Sequence, residues 1–590
     1  MSRPGTPSNT SFSRAGTPGP GQRGSRGHAC LTCRQSRCDG RRPICVQCER
    51  QNRAEECEYP DSGPSPARLL EENIRDLEIR LRELHAIRTG PMDEITLYDP
   101  YAVTASTRHP SGAPRELGKY RAPNVNWWST EKPPLSVVEY LVDAFLPYAL
   151  DFGFFLNEAR CRSTVLAEAG RDGRSSVLLT AMCLCAVSLL RLPSLLPLLP
   201  RLQSRAMELS AYALSSRHPD QVTYYIQADI LLAHYSFSHG RFLEGRQRLN
   251  AVTAVSVACG LHRLRSSRPA AIGSNDLQMP PVGNAVEEGE RILAFWTVVI
   301  LDKSWAVAMG DCSSLPISTD RPESQVDTPW PLSKSDYEAG RFMPTITGSL
   351  IVENFLRGAS NAVSPSILAV HAKAAILWER SYSLGKTYRP DMPQQRLAHF
   401  VAALNSLDML IATVARRDLP RFFDSRDPAH AHAVLATHSI IYAACVQLHR
   451  PVAEDNQTSR TKMLMGAKEI FSFLSRFQIS LTEFLNPILG PVWLLAANVL
   501  AGELMRLRKA TRIAGHDGLA AAKEIDLLMT TALGVMRTIS TGVPLLGELV
   551  DSTARMILMS TPYKRTESVR FRTYTQQQIA LRLVFMNHGR

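Results

Sequence analysis

The residues best suited to chemistry in this chain form one short block of cysteines. Six of the twelve Cys residues lie in this block, and the other six are scattered through the more than five hundred residues that follow it, between Cys161 and Cys445. The block contains two Cys-x2-Cys pairs, a spacing that lets two thiolates reach one tetrahedral zinc ion. No βαβ pattern surrounds either pair, which argues against a thioredoxin-like redox motif. The block therefore predicts a zinc site made of Cys30, Cys33, Cys38, Cys45, Cys48 and Cys57.

The number of available ligands limits how the metal is held. Six Cys and His28 make seven ligands, whereas two independent tetrahedral sites need eight. Either one zinc ion is bound and two thiols are spare, or two zinc ions share two of the six thiolates. A shared cluster of two Zn²⁺ and six thiolates carries a formal charge of −2. Four nearby arginines are candidates to balance that charge: Arg34, Arg37, Arg41 and Arg42.

Composition restricts the class of protein around this block. The chain has 590 residues, 44% of them hydrophobic, which excludes a mainly disordered or collagen-like chain. The clustering of the cysteines argues against a secreted disulfide framework. Lys and Arg exceed Asp and Glu by 67 to 55, so an anionic partner is compatible with the net charge of +12. The N-terminus lacks the apolar core of a signal peptide, and we expect a soluble protein with no membrane partner.

Composition shifts and helical periodicity divide the chain into six segments and predict a mainly α fold. Apolar residues recur at intervals of three and four from Leu135 onward, and alternating strand patterns are scarce. Two long loops, Arg263 to Val286 and Asp311 to Thr347, are expected to interrupt the helices. The predicted segments are a disordered tail (1–29), a zinc module (30–60), a linker (61–66), an amphipathic helix (67–89), a second linker (90–134) and a large all-α region (135–590).

The predicted helix after the zinc module has the pattern of a short coiled coil. Its apolar residues fit alternating d and a heptad positions, which would make a homodimer seam. The pattern covers only about two and a half heptads, and its predicted g–e′ pairs are poorly matched in charge. A dimer seam and an ordinary amphipathic helix both remain open. The candidate seam residues are Leu70, Ile74, Leu77, Leu81 and Leu84.

The cysteine block resembles the fungal Zn₂Cys₆ binuclear-cluster transcription factors, in particular through its Cys-Asp-Gly-x-x-Pro-x-Cys segment, residues 38–45. The resemblance implies that Cys30 and Cys45 bridge two zinc ions, with Cys33 and Cys38 completing one site and Cys48 and Cys57 the other. It also implies a short helix after Cys33 that enters the major groove, and basic residues that read CGG-like triplets.

The sequence departs from that family where DNA is expected to be read. The family usually has six residues between the second and third Cys, rich in Arg and Lys. Here there are four, Arg34-Gln35-Ser36-Arg37, and the first lysine of the chain is Lys119. The two arginines remain as candidates, because Arg suits bidentate contact with guanine.

A second resemblance covers parts of the large helical region. Residues 228–263, 291–310 and 448–451 resemble the fungal-specific regulatory domain that follows such clusters. This implies a regulatory domain without catalysis, and no hydrolase elbow, dinucleotide fingerprint or complete phosphate-binding loop appears. His430, His432 and His438 lack metallohydrolase spacing and are interpreted as packed or surface histidines.

Together these observations predict a nuclear, zinc-dependent regulator of RNA polymerase II genes that binds double-stranded DNA and contacts the transcription machinery. The principal alternative is a single-zinc protein-interaction module without specific DNA binding, using Cys30, Cys33, Cys45 and Cys48. A helical enzyme with an accessory zinc knuckle is a further alternative, but it needs a catalytic constellation that the sequence does not offer.

Overall fold

The fold was analysed in a computed structural model, and the chain divides into two units, Met1–His109 and Pro110–Arg590. In the first unit the structure describes residues 30, 32–33, 38–39, 41, 44–54 and 57. In the second it describes 134–171, 176–215, 220–267, 279–315, 317, 325–341, 346–359, 364–420, 428–476, 484–514, 519–540, 544–547 and 551.

The predicted mainly α fold is confirmed. The described residues contain no β-strand, only an isolated bridge between Ser266 and Gly348. The first unit contributes one short helix, α1 (Val46–Arg50). The first helices of the second unit are α2 (Leu135–Phe145), α3 (Glu158–Arg171), α4 (Val177–Leu190), α5 (Leu199–Tyr212), α6 (Gln221–Ser238), α7 (Phe242–Ala258) and α8 (Ala285–Met309).

The later helices of the second unit lie beyond a long connection that follows α8. The longest of them pack on one another, with α11 against α8, α12 and α13, and α14 against α13, α15 and α16. Their bounds are α9 (Lys334–Glu338), α10 (Ile351–Leu356), α11 (Ile367–Thr387), α12 (Gln394–Arg417), α13 (Pro428–His449), α14 (Gln457–Arg476), α15 (Leu489–Ala514) and α16 (Leu519–Ser540).

The core of the second unit is built from helices that are buried over most of their surface. Helix α8 buries Trp296 and Trp305 completely, α11 buries Trp378 and α15 buries Trp493. Helix α4 is apolar on almost every side, and such a helix is stable only when other elements enclose it, as they do here. It ends at Leu190, and the chain continues to Leu199 through turns and a 3₁₀ segment.

Helix α8 has well-defined signals at both ends. The Asn284 side chain accepts a hydrogen bond from the backbone N–H of Glu287 at 2.9 Å, an N-cap. Gly310 ends the helix in the left-handed region, at φ 72°, which glycine adopts at little cost. This reversal directs residues 311–315 back along the end of the helix. The loop predicted from Asp311 to Thr347 is described in part, and its described residues form neither helix nor strand except in the five-residue helix α9.

Three described helices are long and apolar enough to cross a membrane by length and composition alone: Ala285–Met309, Gln394–Arg417 and Ala429–Val452. The apolar windows of the first and third are 94% and 89% buried inside the unit, which explains their composition. The window in α12 is only 22% buried. The absence of a membrane partner stays a prediction.

Candidate metal centre

Two tight turns and one short helix bring the cysteines of the first unit together. The backbone N–H of Cys33 donates to the carbonyl of Cys30 at 3.2 Å, so the first Cys-x2-Cys pair closes a turn. In the second pair, Cys45 is the N-cap of α1, and its sulfur accepts from the backbone N–H of Cys48 at 3.4 Å. Each pair thus points two sulfurs in one direction, as a shared metal ion requires.

Two further cysteines join these pairs through hydrogen bonds outside the turns. The Cys57 sulfur accepts from the backbone N–H of Cys45 at 3.3 Å. Asp39, next to Cys38, accepts a hydrogen bond from the backbone N–H of Val46 at 3.1 Å and so holds the segment around Cys38 against the start of α1. The sequence did not lead us to predict these roles of Asp39 and α1, although the Cys-Asp-Gly segment could have indicated the role of Asp39.

The six sulfurs form two overlapping groups of four. One group is Cys30, Cys33, Cys38 and Cys45, and the other is Cys30, Cys45, Cys48 and Cys57. Within each group the sulfur atoms all lie within 4.8 Å of one another. Cys30 and Cys45 belong to both groups, so the arrangement has the two shared thiols that ligand counting required for two metal ions.

Distances between sulfurs test whether zinc fits. Tetrahedral zinc with bonds of ≈ 2.3 Å to sulfur places its ligands about 3.8 Å apart. The Cys30 sulfur lies 3.8 Å from that of Cys45 and 3.7 Å from that of Cys48, and the Cys33 and Cys45 sulfurs are 3.8 Å apart. The distances between these sulfur atoms therefore match those expected for a zinc–thiolate site.

The environment of the shared sulfurs favours thiolates. The hydrogen bond from the backbone N–H of Cys48 is the main cause that lowers the pKa of Cys45 to about 6. A lowered thiol pKa favours the thiolate that binds zinc. Cys30 and Cys45 are fully buried, which shields a bound metal ion from solvent.

Comparison with family models decides between the candidate zinc sites. Residues 28–65 match the model of the fungal Zn(2)-Cys(6) binuclear cluster domain. The chain therefore carries a Zn₂Cys₆ domain. Domains of this family bind two zinc ions and DNA and occur in transcription factors. The predicted two-zinc cofactor is confirmed, and the single-zinc alternative is set aside, although its four sulfurs also lie close together.

The match covers a small part of the chain. Neither the curated proteins nor the solved structures contain a match to this chain. The resemblance of the helical region to the fungal-specific regulatory domain stays a prediction.

The structure describes only one of the other residues predicted to act in the Zn₂Cys₆ domain and its flank. Arg41 is described and exposed. Arg34, Arg37 and Arg42 lie outside the described residues, as does the predicted helix after Cys33. The candidate dimer residues also lie outside the described part of the chain: Leu70, Ile74, Leu77, Leu81 and Leu84.

His432 and His438 are buried, His430 is partly buried, and every cysteine of the second unit except the exposed Cys312 is buried. His432 is buried and its Nδ1 lies 2.8 Å from a carboxylate oxygen of Asp151, a partner that sequence separation hid. His438 stacks on Phe473 with ring centroids 3.9 Å apart. Cys183 is buried, and burial raises its pKa to about 12, so this thiol is unreactive.

Proposed function

We propose that the protein is a nuclear, sequence-specific transcription factor of RNA polymerase II genes that binds CGG-like half-sites as a homodimer. The observation that carries the proposal is the pair of overlapping sulfur groups within a segment that matches the Zn₂Cys₆ family. The helical unit then acts as a non-catalytic regulatory domain that communicates with the transcription machinery.

The ligand roles follow from which sulfurs are shared. Cys30 and Cys45 would be shared between the two zinc ions, Cys33 and Cys38 would complete one ligand set, and Cys48 and Cys57 would complete the other. The described buried residues of this module are almost all cysteines, joined by the partly buried Ile44. Such a module has little apolar core, so thiolate–zinc bonding supplies most of its folding free energy.

Charge on the module supports DNA as the partner. Residues 1–60 contain ten Arg and five acidic residues, a net charge of +5. Arg34 and Arg37 lie between metal ligands, where they are candidates to reach base edges, and Arg41 and Arg42 are candidates for phosphate contacts. Phosphate contacts make affinity fall with salt, whereas base contacts set the selected sequence.

Zinc content and DNA selection on the full chain test the proposal together. We expect two zinc ions per chain by elemental analysis and one enriched motif after selection from random duplex DNA. Cys45→Ser removes a shared ligand and should lose zinc and motif enrichment. Cys312→Ser is the matched control, because Cys312 is an exposed thiol outside the cluster. Two zinc ions without an enriched motif would refute the DNA-binding proposal while leaving the metal centre intact.

Salt titration separates the arginine roles, and mass measurement tests the dimer. Arg41→Gln should reduce the salt slope by about one unit and weaken binding evenly across sequences. Arg37→Gln should instead relax the selected motif, costing ~1–3 kcal/mol of discrimination. Leu77→Asp should abolish a dimer seen by light scattering, whereas an unchanged mass would refute the proposed seam.

A further inference from the structure

A cavity with charged side chains in its lining lies in the second unit, far in sequence from the metal centre. It has a volume of about 610 Å³ and lies where the end of α8 and the following loop meet α10 and α11. Cavities that bind small molecules commonly have volumes of 300–1,000 Å³ but are mostly apolar. This cavity is lined by four basic and three acidic side chains, which favours a charged, polar ligand.

Hydrogen bonds hold one wall of the cavity in place. The buried Lys303 ammonium donates to the Ser313 hydroxyl at 2.7 Å and to the Leu315 carbonyl at 2.6 Å. Arg380 of α11 donates to the carbonyl of Ile317. The loop after α8 is therefore tied to both helices, and the cavity is a preformed feature of the fold.

The acidic side chains of α10 and α11 lie toward the inside. Glu353 is only 3% exposed, and the side chain of Glu379 is 13% exposed. Burial lowers the pKa of Lys303, and Glu379 has the largest opposing influence on it. The inner part of the cavity thus combines buried carboxylates with a single ammonium group.

Basic side chains outnumber acidic ones in the outer part, where Asp311 is also exposed. Arg357, at the end of α10, and Lys386, in the last turn of α11, are exposed. Lys386 lies over the ring of Tyr382, 4.3 Å from its centroid, and donates to the carbonyl of Gly310 at 3.3 Å. Arg380 lies between these levels, and its side chain is 36% exposed.

From this order of charge we infer that the cavity binds a zwitterionic small molecule of the amino-acid type. The ligand ammonium faces the carboxylates of Glu353 and Glu379, and the ligand carboxylate faces Arg357 and Lys386. A ligand with only negative charge would meet the carboxylates of Glu353 and Glu379, and one with only positive charge would meet Arg357 and Lys386 at an entrance where Asp311 is the acidic side chain. The inference goes beyond the proposed DNA-binding function and does not depend on it.

Cys312 is a natural reporter for occupancy. It lines the cavity and is the one exposed cysteine among the twelve of the chain. The zinc-loaded full chain is treated with iodoacetamide, and alkylation of Cys312 is followed by peptide mass spectrometry. The probes are the twenty proteinogenic amino acids, each tested alone. Succinate, inorganic phosphate and butylamine serve as controls that carry charge of only one sign. At roughly ten times its Kd, a bound amino acid should slow alkylation about tenfold.

Variants connect protection to the cavity. Glu379→Gln and Lys386→Gln should each weaken the protecting amino acid by roughly 10- to 100-fold, as expected for loss of a charged hydrogen-bond partner. Arg416→Gln removes an exposed arginine of α12 outside the cavity and should change nothing. Calorimetry on the unmodified wild-type chain should give the same Kd as the protection assay, which shows that the signal reports binding rather than reagent access.

Three results would overturn the inference. Absence of protection by every amino acid would show that the cavity holds only solvent. Protection by succinate or phosphate equal to that of the best amino acid would show a simple anion site. An equal effect of Arg416→Gln and Lys386→Gln would place the binding elsewhere. None of these results would bear on zinc content or DNA selection, so this inference and the proposed function fail separately.

Discussion

Asp302, in the middle of α8, is the residue whose replacement tests the architecture of the second unit most directly. Its carboxylate is fully buried and accepts from Arg246 Nη1 at 2.9 Å. It also accepts from the backbone N–H groups of Ser314 and Leu315, at 3.0 and 3.2 Å, and from the Ser313 hydroxyl. One side chain thus joins α8, α7 and the loop that lines the cavity.

Asp302→Asn preserves shape but removes the charge and turns one acceptor into a donor. The new amide N–H₂ faces a backbone N–H or the Arg246 guanidinium, and Arg246 loses its buried counter-charge. Breaking a buried ion pair by removing one partner costs about 3–5 kcal/mol. With an unfolding entropy of about 2.1 cal/mol/K per residue, the roughly 360 described residues of the unit give an expected loss of about 4–7 °C in Tm.

The assay is thermal unfolding of the full chain, followed by fluorescence of the buried tryptophans. Asp143→Asn is the matched control, because Asp143 also binds an arginine, Arg162, at 2.6 Å, but both side chains are exposed. Exposed pairs contribute about 0–1 kcal/mol, so the control should shift Tm by little more than 1 °C. Equal shifts for the two variants would refute the claim that burial makes the Asp302 network important.

Wild type and Asp302→Asn should also differ in how their Tm depends on pH. Burial alone would raise the pKa of Asp302, but Lys303, Arg246 and the hydrogen bonds outweigh it and hold that pKa below its ordinary value. A carboxylate with a lowered folded-state pKa contributes stability above its unfolded pKa of about 3.9 and loses it as pH falls further. The Tm difference between wild type and Asp302→Asn should therefore be largest above about pH 4 and shrink below it.

Two further outcomes are expected. Gly289→Ala should destabilise the second unit by about 1–3 kcal/mol, because a Cβ there would lie 2.4 Å from the Tyr337 ring. Gly502→Ala, where a Cβ would have no other atom within 4 Å, should be neutral or stabilising by up to about 1 kcal/mol. Urea unfolding compares the free energies of unfolding of the two variants. Zinc chelation should abolish DNA binding but change far-UV circular dichroism little, since α1 is the only described helix of the cysteine block; a large loss of helix signal would contradict this.

The metal centre was predictable because its information is local. Cys30 and Cys57 bracket a short stretch, and Cys-x2-Cys spacing limits which sulfurs can share an ion. The helices were predictable for a similar reason, since an apolar period of 3.6 needs no knowledge of the partner surface. What the spacing did not contain was the local detail, such as the capping of α1 by Cys45 and the contact from Asp39.

The cavity and the Asp302 network could not be predicted in this way. Arg246 and Asp302 are 56 positions apart, and no periodicity indicates which arginine meets which aspartate. Lys386 lies in α11 four residues after Tyr382, so its position over that ring follows from helix geometry. Its hydrogen bond to the carbonyl of Gly310 depends instead on how α11 packs near the end of α8, which is a property of tertiary structure.

The short spacing between Cys33 and Cys38 affects the two functions of the module differently. The Cys38 sulfur lies within 4.8 Å of those of Cys30, Cys33 and Cys45, so four intervening residues are enough to complete a zinc ligand set. The residues between the two cysteines are, however, those that the family resemblance assigns to reading DNA, and four residues span only about one helical turn.

We therefore expect that inserting Arg-Lys between Ser36 and Arg37 leaves zinc content at two per chain but changes the motif selected from random duplex DNA. Inserting Gly-Ser at the same place is the control for length without charge. Loss of zinc in both insertions would contradict this reasoning, because it would show that the short spacing is required for ligation.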